Sequence, residues 1–286
     1  MLRTLTTSLL QGDVEMADDW RPGGIDTSIA HPARMYDYFL AGKDNFEADR
    51  TAADQAILRM PQVVAAAQAN RRFLRRAVDH VARLGVRQFL DLGTGIPTSP
   101  NTHEVAQAVD PTARVVYADN DPIVLAHARA LLTSGREGRT AYLDADLRDP
   151  EAILASPAVR DTLDLGEPVG LMLVAILHFI ADEEDPYGIV ARLLAACPEG
   201  SHLILTHGST DFSGEAGEAL VRAYRANGVG LYPRPRAEVL PFFDGLDLLE
   251  PGLQLVTDWR PDTEADRLAR PEDISWYGAV ARKPRR

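Results

Sequence analysis

The sequence predicts an α/β protein: a doubly wound, mostly parallel sheet, preceded by a helical segment and closed by an antiparallel C-terminal hairpin. Three observations carry this expectation. From Gln88 onward, short β-rich runs alternate with helix-length segments, the pattern of parallel strands joined by crossover helices. The run Val169–Ile176 is apolar throughout, as expected of a strand buried on both faces. After His207 the alternation stops, and the β-rich runs Leu253–Trp259 and Ile274–Arg282 have no long helix between them. Strands in that arrangement can pair antiparallel at a sheet edge.

Residues 1–24 are expected to be a disordered tail. Residues 25–85 read as a helical segment that covers the strand ends as a lid. In it, Thr27–Leu40 and Ala48–Met60 are helices joined by the turn Gly42-Lys43-Asp44-Asn45, and Gln62–Leu84 is a third. Pro61 suits the start of that third helix, where its missing N–H costs little, and Gly85 suits its end. Residues 86–286 make the α/β unit. Its strands are Gln88–Leu92, Arg114–Ala118, Thr140–Leu143, Val169–Ile176 and Ser201–His207. Its helices are Asn101–Val109, Pro122–Thr133, Pro150–Ser156 and Tyr187–Ala196, with Gly214–Gly228 and Arg236–Phe243 before the hairpin.

The first strand of that unit runs into Asp91-Leu92-Gly93-Thr94-Gly95. Glycine tolerates positive φ and lets the main chain approach a ligand where a Cβ would clash. A ligand then sits at the carboxyl end of the strand, near a helix N-terminus. Roughly 20 residues further on, the second strand ends at Asp119, the offset at which a nucleotide fold sets a carboxylate against ribose hydroxyls. The third strand also ends in acids, at Asp144 and Asp146. Polar tips on successive strand ends suit one extended ligand that crosses the sheet.

These residues resemble the class I S-adenosylmethionine-dependent methyltransferases. The stretch His31-Pro32-Ala33-Arg34-Met35-Tyr36-Asp37-Tyr38-Phe39-Leu40-Ala41-Gly42-Lys43-Asp44-Asn45-Phe46 is similar to the N-terminal signature of an actinobacterial branch of that superfamily, the DUF574 S-adenosyl methyltransferases. Gln88–Thr98 and Tyr117–Pro122 carry the same resemblance, which extends over nearly the whole chain from Ile25. Because it begins after Met16, that residue competes with Met1 as the natural start. The resemblance implies a Rossmann-like methyltransferase sheet and S-adenosyl-L-methionine as cofactor. The loop departs from the wider superfamily where Pro97 stands near its third glycine. Proline stiffens the turn and removes a donor, and the backbone N–H groups of Gly93 to Gly95 are expected to remain available.

In this reading Asp91 orients the loop or the cofactor's amino group, and Gly93, Thr94 and Gly95 pass beneath the methionyl part and ribose. Asp119 accepts from the ribose and Asn120 reaches the adenine edge. Asp146 accepts from the adenine amine beside the Leu147 backbone, with Asp144 as its competitor. Ala175 and Ile176, at the end of the fourth strand, lie below the cofactor. His178 and His207 are the candidate catalytic bases, since imidazole titrates near neutral pH, although packing is the blander role for both. Tyr36, Tyr38, Lys43 and Asn45 are candidates for the lid or the acceptor pocket. His103 is expected to cap or brace the loop, and His31 to touch the lid. No metal site is expected.

Composition limits the rest. The chain has 286 residues, a net charge of -12 and a single cysteine. Nucleic-acid binding rests on phosphate neutralisation by Lys and Arg, so so acidic a chain is a poor nucleic-acid partner. The cluster Arg71, Arg72, Arg75 and Arg76 reads as a solvated helix face. Cys197 reads as structural. No apolar run reaches the roughly 18 residues of a membrane span, which points to a cytoplasmic enzyme acting on a small-molecule acceptor. The rivals are an NAD-dependent oxidoreductase and a non-catalytic S-adenosylmethionine-binding protein. The first needs a third loop glycine where this chain has Thr98.

Overall fold

The structure is a computed structural model that describes residues 26–131 and 134–285. The expected tail, the competing start at Met16 and the end of the helix begun at Pro122 lie outside the described residues. The chain opens with α1 (Pro32–Phe39), α2 (Glu47–Arg59) and α3 (Val63–Arg83). Then come β1 (Gln88–Leu92), α4 (Thr102–Val109), β2 (Arg114–Asp119), α5 (Pro122–Leu131) and β3 (Arg139–Asp144). Next are α6 (Pro150–Ala155), α7 (Pro157–Thr162), β4 (Gly170–Val174), α8 (Pro186–Ala196) and β5 (His202–Gly208). The tail holds α9 (Gly214–Ala226), α10 (Arg236–Val239), β6 (Asp247–Leu248), β7 (Gln254–Leu255), α11 (Glu264–Leu268), α12 (Pro271–Ile274) and β8 (Trp276–Arg282).

The strands form one sheet in the order β3-β2-β1-β4-β5-β8-β6, with β7 also on β8. β1 to β5 are parallel, and β8 runs antiparallel to β5 with Thr206 opposite Gly278. The expected parallel sheet with an antiparallel end is therefore what forms, with the last strand inserted between β5 and the short edge pieces. Alternate residues point to opposite faces of a strand, and both faces here are apolar. Leu90, Val116, Leu171 and Leu203 pack beneath α8, against Ile189 and Leu193. Phe89, Val115, Met172 and Ile204 pack on the other face against Phe73, Ala77 and Val81 of α3. Fully burying a side chain such as Phe73 contributes about 1.5–3 kcal/mol. A third apolar cluster joins Met35 and Phe39 of α1 to Ala52 and Ala56 of α2 and Tyr224 of α9.

Several boundaries differ from the sequence expectations, each for a local reason. α1 starts at Pro32 rather than Thr27, because Pro disfavours helix in the residue before it; His31 is extended at φ -122° and caps the helix. β4 stops at Val174 because the chain turns at Ala175, a non-glycine residue at φ 60°. Ser156 ends α6 and caps a further helix, α7, that the sequence reading left out. The expected strand Leu253–Trp259 pairs only at Gln254–Leu255. Its apolar residues are buried by docking on α3 instead: Trp259 packs edge-on to Phe73, and Val256 and Trp259 carbonyls accept from Arg76.

That docking also corrects the reading of the arginine cluster. Arg76 is buried and donates to Asp266 at 2.6 Å, Arg72 donates to the same carboxylate at 2.8 Å, and Arg75 pairs with Asp262. Arg72, Arg75 and Arg76 tie α3 to the segment before β8. The cluster is not a solvated face.

Candidate cofactor and acceptor site

The glycine turn lies at the carboxyl end of β1. Gly93 and Gly95 have φ of 70° and 67°, a region that disfavours any Cβ. A Cβ on Gly93 would stand 2.5 Å from Ile176 Cγ1, whereas one on Gly95 would meet nothing within 4 Å. The turn's donors are not free as expected. Gly93 N–H donates to Ala118 O at 2.8 Å, Thr94 N–H to the same oxygen at 3.3 Å, and Gly95 N–H to Asp119 Oδ2 at 2.8 Å. The turn is thus fixed by β2, and its contribution to a ligand is shape rather than donors. Behind it, buried Asp91 accepts from Thr102 Oγ1 at 2.7 Å, and burial raises its carboxyl above the usual range.

Asp119 is 6% exposed and also accepts from Asp121 N–H at 3.0 Å. Burial is the largest influence on it and pushes its carboxyl up to about 6. Each oxygen holds one backbone donor and keeps further acceptor capacity. These groups face a cavity of about 390 Å³ at the carboxyl ends of the strands. Thr94, Asn120, Asp146, Leu147, Ala175 and Ile176 also line it. Asp144, the last residue of β3, does not line it. Asp146 is exposed and accepts from Arg148 N–H at 2.9 Å.

The N-terminal signature folds against this cavity. Arg34, buried at 4% exposure, lies 3.1 Å from Asp121 Oδ2 and 3.5 Å from Asp49 Oδ2. His31 Nδ1 is also 3.1 Å from Asp121 Oδ2, and burial lowers that imidazole's pKa. Arg34 Nε and Asp121 Oδ2 have no aligned hydrogen bond, so this is charge proximity rather than a geometrically ideal pair. Asp49 is better served, accepting from His31 N–H and Phe46 N–H, each at 2.8 Å.

Of the four lid candidates, only Tyr36 lines the cavity. Its hydroxyl donates to Ala67 O at 3.0 Å and accepts from Asn70 Nδ2 at 2.9 Å. Tyr38 points away and donates to Asp54, as its offset of two residues on the helix requires. Asn45 is buried and donates to Asp37 Oδ2 and Gly42 O, bracing the α1–α2 turn. Lys43 is exposed on that turn. Arg71 of α3 is a cavity residue that the sequence reading missed. It donates to Thr98 O and Pro100 O, across the glycine loop. Nothing in its local pattern separates it from the neighbouring structural arginines.

The two candidate bases are differently placed. His207 is fully buried, with Nδ1 2.7 Å from Gly208 O and Nε2 3.0 Å from Arg234. Burial drives its pKa down to about 3, and it lines neither cavity described here. His207 therefore positions Arg234 and is not placed to act as a base. His178 is 2% exposed, edge-on to Trp276 and His207 and tilted against Phe179, and burial holds its pKa well below the usual value. It lines a second, smaller cavity, and Pro32, Tyr36 and Phe179 line both. His103 braces the loop through the Tyr117 hydroxyl, 2.8 Å from its ring. Cys197 is buried, with its thiol pushed up to about 11.

A parallel sheet with this strand order, an inserted antiparallel strand and an acid-tipped cavity over its carboxyl ends defines an S-adenosylmethionine-dependent methyltransferase. The residues present fit the cofactor: the Gly95 position is open to the cavity, and Asp119 offers a carboxylate for paired hydroxyls. The chain belongs to the S-adenosyl methyltransferase family, whose model matches residues 18–284. A DUF574 family protein from Streptomyces avermitilis is 50% identical, with a TM-score of 0.89 over 91% of this chain and 99% of that one. A Thermobifida fusca structure named as a methyltransferase is 40% identical, with a TM-score of 0.85 over 93% and 99% of the two chains. The plantazolicin methyltransferase BpumL shares the fold at 13% identity and a TM-score of 0.52, over 88% and 96% of the chains. No curated protein matches the chain. The family assignment removes the NAD-dependent reading. Among the described residues, no helix is long and apolar enough to cross a membrane.

Proposed function

We propose that the chain transfers the methyl group of S-adenosylmethionine to a small-molecule acceptor in the cytoplasm. The observation that carries this reading is the 390 Å³ cavity over the strand ends, lined by Asp91, the glycine turn, Asp119 and Asp146. When bound, the cofactor supplies an activated methyl group, so the protein's task is positioning and exclusion of water. Asp119 holds the ribose, Asp146 and the Leu147 backbone hold the adenine, and Gly93 and Gly95 give the chain room to pass beneath. Asp91 orients the amino group, and Arg71, which lines the same cavity, faces the cofactor's carboxylate. α1 and the turn before it cover the cavity as a lid, anchored through Arg34 and His31 to Asp121.

A macromolecular nucleic-acid acceptor is disfavoured by the net charge of -12. Proton abstraction by His178 is disfavoured by its burial. Calorimetry tests the core of the reading: S-adenosylmethionine and S-adenosylhomocysteine should bind and NAD should not. Binding of NAD alone would overturn it. Hydrogen exchange tests the lid: Tyr36–Asn45 should gain protection with S-adenosylhomocysteine, and protection confined to the glycine turn would exclude closure.

A further inference from the structure

Three carboxylates line the larger cavity, those of Asp91, Asp119 and Asp146. In the proposed function each has a partner: the amino group, the ribose and the adenine. S-adenosylmethionine carries one further charged centre, the sulfonium, between its ribose and its amino-acid end. Among the described residues, no carboxylate in the cavity wall is left for it. The wall also carries two benzenoid rings, those of Tyr36 and Phe179. Of the two, Tyr36 is tied to both ends of the cofactor's path.

The course of α1 sets where Tyr36 stands. Pro32, Ala33 and Tyr36 fall on one face of that helix, and all three line the cavity. His31, at the N-cap, is 3.1 Å from Asp121 on the bend that carries the ribose acid. Tyr36 comes five residues later, about 7 Å along the helix at 1.5 Å per residue. There its hydroxyl meets Asn70, the residue before Arg71. α1 therefore runs from the ribose bend towards the groups assigned to the amino-acid end, with Tyr36 over the stretch between them. The hydroxyl is engaged with α3: it donates to Ala67 O at 3.0 Å and accepts from Asn70 Nδ2 at 2.9 Å, and burial raises its pKa. Tyr36 thus offers the cavity its ring rather than its hydroxyl, and the two bonds hold the ring in place.

We propose that Tyr36 is a specificity-determining residue of the cofactor site, whose ring face receives the sulfonium and so favours the charged methyl donor over its neutral product. A cation over a tyrosine face is attracted by the ring quadrupole, most strongly where water is excluded. The thioether of S-adenosylhomocysteine is neutral and lacks that attraction. In the transfer, the acceptor's electron pair forms the new bond to the methyl carbon, and the pair of the broken carbon–sulfur bond stays on sulfur. The positive charge on sulfur is lost in that step. The contact that favours the donor therefore disappears as the product forms, which assists its release.

This inference rests on the methyltransferase reading, and calorimetry without an acceptor separates the two. Wild-type protein is titrated with S-adenosylmethionine and S-adenosylhomocysteine; binding of neither would sink the methyltransferase reading itself. Tyr36→Leu keeps apolar bulk and loses the ring. Its ratio of S-adenosylmethionine to S-adenosylhomocysteine affinity should fall at least threefold, within the range of about 2- to 30-fold that cation–ring contacts supply. Any loosening of the lid weakens both ligands and cancels in the ratio. Tyr36→Phe keeps the ring, and its ratio should lie nearer to wild type than to Tyr36→Leu. A further series does not depend on the leucine variant folding. Tyr36→Phe made with progressively fluorinated phenylalanine keeps the ring's shape and weakens its face. S-adenosylmethionine affinity should fall stepwise along it, while S-adenosylhomocysteine affinity stays within twofold. Three results would each overturn the proposal: a change below threefold in Tyr36→Leu, a Tyr36→Phe ratio nearer to that of Tyr36→Leu, or no trend with fluorination.

Discussion

The strand-end cavity and the smaller aromatic-lined cavity share Tyr36 and Phe179 in their walls, yet they are built in opposite ways. The strand-end side of the first is lined by short contiguous stretches: Asp91 and Gly93 to Gly95, then Asp119 and Asn120, then Ala145 to Arg148. Parallel strands deliver these stretches side by side, so each strand end contributes a contiguous piece. The second is assembled from α1, the turn after β4, the end of β5, α9 and the start of β8. Its polar side chains are His178, Ser209, Ser213 and Ser275, which share no local pattern. A wall set by strand geometry is tuned by backbone substitutions. A wall set by long-range packing is tuned by side chains, and changing it should leave the first untouched.

The largest effect should come from Gly93→Ala. Its Cβ would overlap Ile176, and its φ is 70°. Strain and overpacking of about 1–3 kcal/mol each should lower S-adenosylhomocysteine affinity on the order of 100-fold in calorimetry. A loss below tenfold would mean that the turn adapts and the cofactor wall is less rigid than described.

Asp119→Ala should follow, with a loss of about 1–3 kcal/mol, or roughly 10- to 100-fold in affinity. The same side chain holds Gly95 N–H and Asp121 N–H, so the melting temperature should also fall. Unchanged affinity would remove Asp119 from the site.

The pH dependence of the wild type sharpens that result. Below about pH 4 the Asp119 carboxyl is protonated in folded and unfolded chains alike. Between about 4 and 6 the folded protein keeps a proton that the unfolded chain has released, because the folded value is raised to about 6. Rising pH should therefore remove up to about 3 kcal/mol of this group's contribution to stability. In the proposed role of Asp119 binding runs the other way, since a hydroxyl donates best to the ionised form. S-adenosylhomocysteine affinity should fall about tenfold per unit below pH 6 and level off above about 7. Asp119→Asn should abolish the slope; a slope that persists belongs to another group.

The smallest effect should be that of Tyr38→Phe. Its hydroxyl meets only exposed Asp54, so stability should stay within about 0.5 kcal/mol and S-adenosylhomocysteine affinity should not move. A clear loss of affinity would return Tyr38 to the lid and break the distinction drawn between it and Tyr36.

The same contrast explains what could be read without coordinates. Strand alternation and the acids at strand ends are local signals, and they located the sheet and the residues at the mouth of the larger cavity. Asp146 could be separated from Asp144 only by the turn after β3. The run Leu253–Trp259 has the composition of a strand, but its burial comes from docking on α3, a contact across nearly the whole chain. Arg71 sits among three arginines with structural partners, and only the position of the loop Thr98–Pro100 distinguishes it. His207 looked chemically apt because a strand end carries it; Arg234, which occupies its second nitrogen, is remote in sequence.

Arg34 and Asp121 bear on how such enzymes can be rebuilt. Asp121 lies two residues beyond Asp119, on the same bend, and its buried carboxylate is neutralised from α1. The covering helix and the nucleotide bend are therefore not interchangeable parts. A chimera that kept this sheet and took its first helices from a distant relative would inherit an unmatched buried charge beside the ribose acid. The bend after β2 and the helix that covers it would have to be exchanged together.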